Sequence, residues 1–94
     1  MSIKVLIKRK IISDKYAELA ELLKQMRTSC TQQPGYISGE TLNRLDKPGE
    51  NLVISTWKTL EDWQNWQKSP SRIDIQENID FLLQEKTEFE IYQA

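Results

Sequence analysis

The sequence predicts an α+β fold with the element order β-α-β-β-α-β. Three observations lead to this prediction. Apolar residues alternate along the segments that would be strands, they recur at helical spacing between residues 16 and 30, and all three tryptophans fall between residues 57 and 66, close to two helix-start signals. Two halves of this kind pack as a four-stranded antiparallel sheet with the helices on one face.

The N-terminal segment predicts a strand followed by a helix. Ile3, Val5 and Ile7 share one side of residues 3–8, as in a strand with one buried face. Ser13-Asp14 supplies an N-cap signal for the helix. Its apolar stripe, which we expect to pack on the sheet, consists of Tyr16, Leu19, Ala20, Leu23, Met26 and Cys30.

The middle of the chain predicts a β-hairpin. Residues 36–45 and 51–57 form the two strands, and residues 46–50 form the turn. The run Leu52-Val53-Ile54 is apolar on both faces, which is typical of a strand that is covered on both sides. The chain's own helices cover only one face of so small a sheet. The sequence therefore predicts a homodimer, in which a second copy covers the other face.

The tryptophan segment predicts the second helix. Thr59 is its N-cap, with Asp62 at the third position in a weaker form of the capping box. Leu60, Trp63 and Trp66 then fall along one side. Ser69-Pro70 restarts a helix, because proline is tolerated at the first helical position. The apolar pattern beyond it is blurred, so we expect a short helix, a loop, and a last strand over residues 86–92.

These elements together give the ferredoxin-like α+β arrangement, in one domain over residues 1–94. The formal net charge of −1 argues against nucleic acid or an anionic membrane as a partner. Basic residues do cluster at Lys4, Lys8, Arg9 and Lys10. We interpret this cluster as a solvated strand edge that discourages edge pairing.

The absence of histidine is the most informative feature of the composition. It excludes a Ser-His-Asp or Cys-His nucleophile, an imidazole zinc site and a proximal histidine for haem within this chain. The single cysteine, Cys30, lies on the apolar side of its helix and is interpreted as a small core residue. No apolar run reaches membrane-spanning length, and we expect a soluble cytoplasmic protein.

Three motifs, taken in order, resemble the antibiotic biosynthesis monooxygenase domain. They are the Pro34-Gly35-Tyr36 strand start, the Trp57 strand end and the tryptophan helix followed by Ser69-Pro70. The resemblance covers nearly the whole chain. It implies a ferredoxin-like unit whose sheets meet in a dimeric α/β barrel. Family members include oxygenases that act on polycyclic phenols and quinols without a metal or organic cofactor, and others that degrade haem.

The haem-degrading branch uses a strand asparagine, a helix tryptophan and a histidine. In this chain the resemblance places Ile7 at the asparagine position, Trp66 at the tryptophan position and Gln76 near the histidine position. Two of the three residues are therefore replaced, including the iron ligand. The oxygenase branch needs a dry cavity and hydrogen bonds to a developing oxyanion, and it is the branch that this sequence favours.

We interpret Trp66 as the candidate catalytic residue, an indole donor facing a cavity, although the same tryptophan could simply anchor the helix to the sheet. The substrate-binding candidates are Ile7, Tyr36, Trp57, Trp63, Arg72 and Gln76. Trp57 and Trp63 also suit the core, Tyr36 could merely cover the end of the sheet, and Arg72 alone is more typical of a surface charge. No metal ligand and no general base can be assigned.

The sequence thus leaves two functions open. The first is a small dimeric oxygenase, without metal or organic cofactor, that acts on an aromatic or quinol-like compound. The second is a non-catalytic dimeric module that binds a small apolar ligand or serves as a scaffold. The second interpretation depends on the missing histidine, the missing strand asparagine and the lack of a base.

Overall fold

The computed structural model describes residues 2–11 and 13–94. The strands and helices follow one another in the predicted order. A 3₁₀ turn precedes the first helix, and the helix restart at Ser69-Pro70 separates the second helix from the third. The elements are β1 (Ile3–Lys10), a 3₁₀ turn (Ser13–Lys15), α1 (Tyr16–Cys30), β2 (Tyr36–Asn43), β3 (Glu50–Trp57), α2 (Leu60–Gln67), α3 (Pro70–Leu83) and β4 (Glu88–Gln93).

The four strands form one antiparallel sheet in the order β2-β3-β1-β4. This is the predicted ferredoxin-like α+β topology, and the fold prediction is confirmed. The register places Val5 opposite Ser55 and Ile91, so alternate residues of neighbouring strands share a face. The face that bears Ile3, Val5 and Trp57 packs against the helices.

The basic cluster of β1 is not a solvated sheet edge. β1 lies between β3 and β4 in the middle of the sheet, so it has no free edge. Arg9 continues the Ile3, Val5, Ile7 alternation onto the helix-covered face and is only 6% exposed. The prediction was wrong for Arg9 because a strand two residues longer than expected turns this charge inward.

The N-cap of the tryptophan helix was predicted correctly, whereas only part of its apolar side is buried. Thr59 is the N-cap of α2: its Oγ1 accepts a hydrogen bond from the Asp62 backbone N–H at 3.1 Å and donates to Asp62 Oδ2 at 2.9 Å. Trp63 and Trp66 are buried on one side. Leu60, the first residue of the helix and expected on the same side, is 44% exposed.

The segment after Ser69-Pro70 is one helix of 14 residues, not a short helix and a loop. Its buried residues are Arg72, Gln76, Ile79 and Leu83, which recur every three or four positions. The stripe is therefore regular. It looked blurred in the sequence because two of its four members are polar, whereas the apolar Ile73 is exposed.

The start of α1 was predicted too early. The 3₁₀ turn over Ser13–Lys15 comes first, and Lys15 precedes the helix without a side-chain cap. Within the predicted stripe, Leu19 is buried while Tyr16 is exposed. Leu19, with Ile79 and Leu83 of α3, forms a second apolar cluster beside the one built around the tryptophans.

The other face of the sheet has no covering element among the described residues. Leu6, Leu52 and Ile54 lie near its centre and are half-buried, and Leu42 lies towards the β2 edge and is exposed. The apolar run of β3 therefore does present side chains on both faces, as predicted. The homodimer that would cover this face stays a prediction. No helix in the described part of the chain is long and apolar enough to cross a lipid bilayer.

Candidate functional site

A cavity of about 120 Å³ lies between the helices and the covered face of the sheet and opens to solvent. All three helices and all four strands contribute to its wall. The lining residues are Ile7, Arg9, Leu23, Met26, Arg27, Cys30, Tyr36, Gly39, Thr41, Val53, Ser55, Trp63, Trp66, Arg72, Gln76 and Phe89. Ligand sites are commonly several hundred Å³. This cavity is smaller. Because an apolar cavity of about 150 Å³ is known to hold benzene, a cavity of this size suits a single aromatic ring.

Aromatic rings form a row along one side of the cavity. Tyr36, Trp57, Trp63 and Phe89 contact one another in that order, with ring centroids 5.5 to 5.9 Å apart. The first two contacts have the edge-on geometry that aromatic pairs prefer. Of these four residues, Trp57 is fully buried and does not itself line the cavity.

Two buried tryptophans differ in the partner of their indole N–H. Trp57 Nε1 donates to Ser55 Oγ at 2.6 Å. Trp63 Nε1 is equally buried, but it has no acceptor within the described residues. An unpaired buried donor costs free energy, about 1–3 kcal/mol. Trp63 lines the cavity, so this unpaired donor belongs to the cavity wall.

Arg72 enters the cavity from the first turn of α3 and is 6% exposed. Its guanidinium lies over the rings of Trp63 and Phe89, 5.7 and 5.1 Å from their centroids. Its Nη1 also donates to the Gln67 carbonyl at 3.2 Å. Cation–π contacts and one backbone acceptor hold the group in place. The surface interpretation of Arg72 was therefore wrong, since stacking on two rings keeps the charge inside.

Gln76, one turn further along α3, is held by a small polar network. Its Nε2 donates to Asp80 Oδ1 at 2.9 Å and to Thr87 Oγ1 at 2.7 Å. Thr87 donates its backbone N–H and its hydroxyl to the same Asp80 oxygen. Both amide hydrogens of Gln76 are thus used, and its Oε1 is buried without a partner among the described residues. Gln76 offers a fixed acceptor but no proton-accepting base.

The ionisable groups of the wall do not include an evident base. Among the described lining residues there is no carboxylate and no lysine. Burial raises the pKa of the Cys30 thiol to about 12, so it stays protonated at neutral pH. Burial also raises the pKa of Tyr36. The arrangement provides hydrogen-bond donors and positive charge, which stabilise a negatively charged oxygen rather than remove a proton.

Gly39 explains how Tyr36 reaches this wall. A Cβ atom at Gly39 would lie 2.8 Å from the Tyr36 hydroxyl oxygen, so any other residue there would displace the ring. Both residues lie on β2 at the cavity. The missing side chain of Gly39 therefore leaves room for the Tyr36 hydroxyl at the cavity.

A comparison with protein families identifies the chain. The family model of antibiotic biosynthesis monooxygenases matches residues 2–78. The chain belongs to this family. The resemblance proposed from the sequence motifs is therefore confirmed. No match was found among curated proteins.

Solved structures of several proteins share the fold. A conserved protein from Methanosarcina mazei Go1 superposes with a TM-score of 0.90 at 21% identity, over 100% of this chain and 93% of that one. Rv0793 from Mycobacterium tuberculosis gives 0.86 at 17% identity, over 100% and 95%. A mutant of SnoaB, a cofactor-independent oxygenase from Streptomyces nogalater, gives 0.85 at 15% identity, over 99% and 92%. At these identities the likeness establishes the fold.

Six of the seven site residues predicted from the sequence line this cavity: Ile7, Tyr36, Trp63, Trp66, Arg72 and Gln76. Their roles stay predictions. Trp57 is the exception, since it is fully buried and does not line the cavity. Arg9 was missed. The alternation of the strand could have identified it, because Arg9 lies two residues after Ile7 and therefore on the same strand face.

Proposed function

We propose that this chain is a small-molecule monooxygenase that oxidises an electron-rich aromatic compound of the quinol type, without metal or organic cofactor. The observation that carries the proposal is the cavity beside Trp63 and Trp66. Its wall combines aromatic surface, an unpaired buried indole N–H and a buried guanidinium. Family membership supports the same reaction class, and SnoaB, which shares the fold, is described as a cofactor-independent oxygenase.

The chemistry balances without an external reductant. A quinol that loses a proton is rich enough in electrons to reduce dioxygen itself. One oxygen atom enters the ring as a hydroxyl, the quinol becomes a quinone, and the second oxygen atom leaves as water. The substrate supplies all four electrons. What the protein adds is a water-poor cavity and donors for the negatively charged oxygen of the substrate.

We assign Trp66 to the reacting end of the cavity. It is 3% exposed and lines the cavity from α2, next to the turn that leads into α3. Its indole N–H is a donor that phenylalanine lacks, while phenylalanine retains most of the ring contact. Trp66→Phe therefore separates hydrogen bonding from packing.

Dioxygen uptake with a panel of one-ring quinols tests the proposal. We expect uptake in excess of the autoxidation blank, and its loss in Trp66→Phe. Leu60→Ala is the matched control, because Leu60 lies on the same helix but outside the cavity wall. Catalase gives a second control: autoxidation to peroxide returns half of its oxygen, whereas monooxygenation to water returns none. No uptake with any compound of the panel would refute the proposal.

A second function is favoured by one observation, the lack of a base in the described cavity wall. In this alternative the chain binds a small aromatic ligand without converting it. Saturable binding under air, with neither oxygen consumption nor a change in the ligand, would establish it. Binding followed by oxygen consumption would exclude it.

We also propose that the functional unit is a homodimer joined through the open face of the sheet. Leu6, Leu52 and Ile54 form the apolar centre of that face. Charging it with Ile54→Lys would place an ion at the centre of the seam, where desolvation is costly. Light scattering should give twice the mass of one chain for the native protein and a single-chain mass for this variant. A native monomer at micromolar concentration would refute the dimer.

A further inference from the structure

The charges of the cavity wall have one sign. Arg9, Arg27 and Arg72 line it, and no Asp or Glu does within the described residues. This excess does not follow from the composition, since the whole chain has a net charge of −1. Arg27 is exposed, whereas Arg9 and Arg72 are each 6% exposed and lie inside.

The two inner guanidiniums are incompletely paired. Arg9 Nε is buried and has no hydrogen-bond partner among the described residues. Arg72 uses one N–H on a backbone carbonyl and otherwise stacks on rings. Burying a guanidinium without a carboxylate or another full set of acceptors is costly. Such a cost is expected where a ligand supplies the missing acceptors.

Both groups stay positively charged at neutral pH. Burial lowers the pKa of Arg9 to about 10, the charge of Asp80 opposes that change, and the nearby charge of Arg72 adds to it. Burial likewise lowers the pKa of Arg72, against the charge of Asp80. Asp80 is already engaged by Thr87 and Gln76. Two inner positive charges and one neighbouring carboxylate leave a single positive charge to be neutralised.

The size of the cavity limits what neutralises that charge. About 120 Å³ suits one aromatic ring better than a fused polycycle. A carboxylate matches the planar fork of a guanidinium and carries one negative charge. Among the described residues, the Trp63 N–H and Gln76 Oε1 are also buried without partners, so the wall as a whole is under-supplied with hydrogen bonds.

We infer that the ligand of this cavity is a one-ring phenolic acid, and as a substrate a quinol that bears a carboxylate. Its carboxylate binds Arg9 and Arg72 while its ring lies against Trp66 and Met26. The inference rests on the proposed function, because it takes this cavity to be the substrate site, and it names the substrate class. Arg9 then has a defined role as a specificity-determining residue. Neutral phenols of the same size bind more weakly, because the arginines keep their unpaired donors.

Two air-stable probes that differ in charge test the inference: 4-hydroxybenzoate and 4-hydroxybenzamide. Their dissociation constants are measured by titration calorimetry and by quenching of tryptophan fluorescence. We expect the carboxylate to bind at least tenfold more tightly, which corresponds to about 1.4 kcal/mol. In Arg9→Gln and in Arg72→Gln the two affinities should converge, while the amide affinity changes by less than about threefold.

Arg44→Gln is the matched control. Arg44 is an exposed arginine of the hairpin, paired with Asp46 and Glu50, and it does not line the cavity. The variant removes the same charge and should keep the tenfold preference. Arg9→Lys is the second variant at the inner position, for the case that glutamine unfolds the protein. It keeps the charge but loses the fork, and it should retain part of the preference.

Equal affinity of the native protein for both probes would overturn the inference, and so would failure to bind either one. A preference that persists in both Arg9→Gln and Arg72→Gln would place the anion elsewhere and overturn it too. None of these measurements depends on oxygen consumption. A carboxylate preference without turnover would keep the inference and refute the oxygenase. Oxygen consumption with neutral quinols and no carboxylate preference would do the reverse.

Discussion

The two buried tryptophans of the aromatic row allow a test of whether the indole N–H of Trp63 lacks a hydrogen-bond partner. Trp57 and Trp63 are both almost fully buried and contact each other. Only Trp57 has an acceptor for its indole N–H, the Ser55 hydroxyl. Replacing each by phenylalanine removes a similar piece of aromatic surface. The two substitutions therefore differ mainly in the fate of one hydrogen bond.

The expected magnitudes follow from this difference. Loss of the larger ring costs about 1–2 kcal/mol of unfolding free energy in either variant. Trp57→Phe also loses a hydrogen bond and leaves Ser55 without its donor, which adds about 1 kcal/mol. Trp63→Phe instead removes an unpaired buried donor, which returns about 1–2 kcal/mol. We expect Trp57→Phe to cost about 2–3 kcal/mol and Trp63→Phe to be nearly neutral.

Urea unfolding followed by far-ultraviolet circular dichroism measures the unfolding free energies of both variants. All samples are kept at one protein concentration, because the stability of a dimer depends on concentration. Scaled to a domain of this size, the difference corresponds to roughly 10 °C in thermal midpoint. Equal destabilisation of the two variants would refute the reasoning. It would mean that the Trp63 N–H has a hydrogen-bond partner in solution.

Three further predictions concern local features. Thr59→Ala should cost about 1 kcal/mol in urea unfolding, because α2 loses the side-chain cap of its first turn; no change would show that the cap is not used. Gly35→Ala should lower the thermal midpoint by an amount equivalent to about 1–3 kcal/mol, because Gly35 has φ of +83° and a Cβ there would overlap Asp62; an unchanged midpoint would contradict this geometry. Cys30 should react with a thiol reagent at pH 8 at least 100-fold more slowly in the native protein than in urea, because burial raises its pKa to about 12 and little thiolate forms; comparable rates in the two states would refute burial of the thiol.

Local sequence patterns were sufficient for the order of strands and helices. Alternation located β1, the two-sided apolar run located β3, and Thr59 marked the start of α2. These signals are strong because a shift of one residue in a strand would turn its whole apolar face to solvent, so the pattern allows few alternatives. The start of α1 was less accurate because a 3₁₀ turn intervenes there, and such turns leave no apolar period.

The cavity was harder to predict because it buries polar residues. Pattern reading assumes that a buried position is apolar, so Arg72 and Gln76 made the α3 stripe look irregular, and Arg9 was counted with its solvated neighbours. Local rules tend to fail where a chain carries function. At these three positions the departure from the apolar pattern was itself the signal. Arg9 lies on the same face of β1 as Ile7, and Gln76 lies one helical turn after Arg72 on the same side of α3.

The same residues constrain how the proposed oxidation would begin. The described wall offers donors and positive charge but no group that accepts a proton near neutral pH, since the Cys30 thiol stays protonated and Gln76 is a neutral amide. A substrate must therefore lose its proton to solvent, helped by donors that stabilise the resulting oxyanion. One charge-assisted hydrogen bond, about 1.5–3 kcal/mol, lowers a phenol pKa by about one to two units. The pH dependence of turnover should accordingly follow the acidity of the substrate rather than that of any side chain.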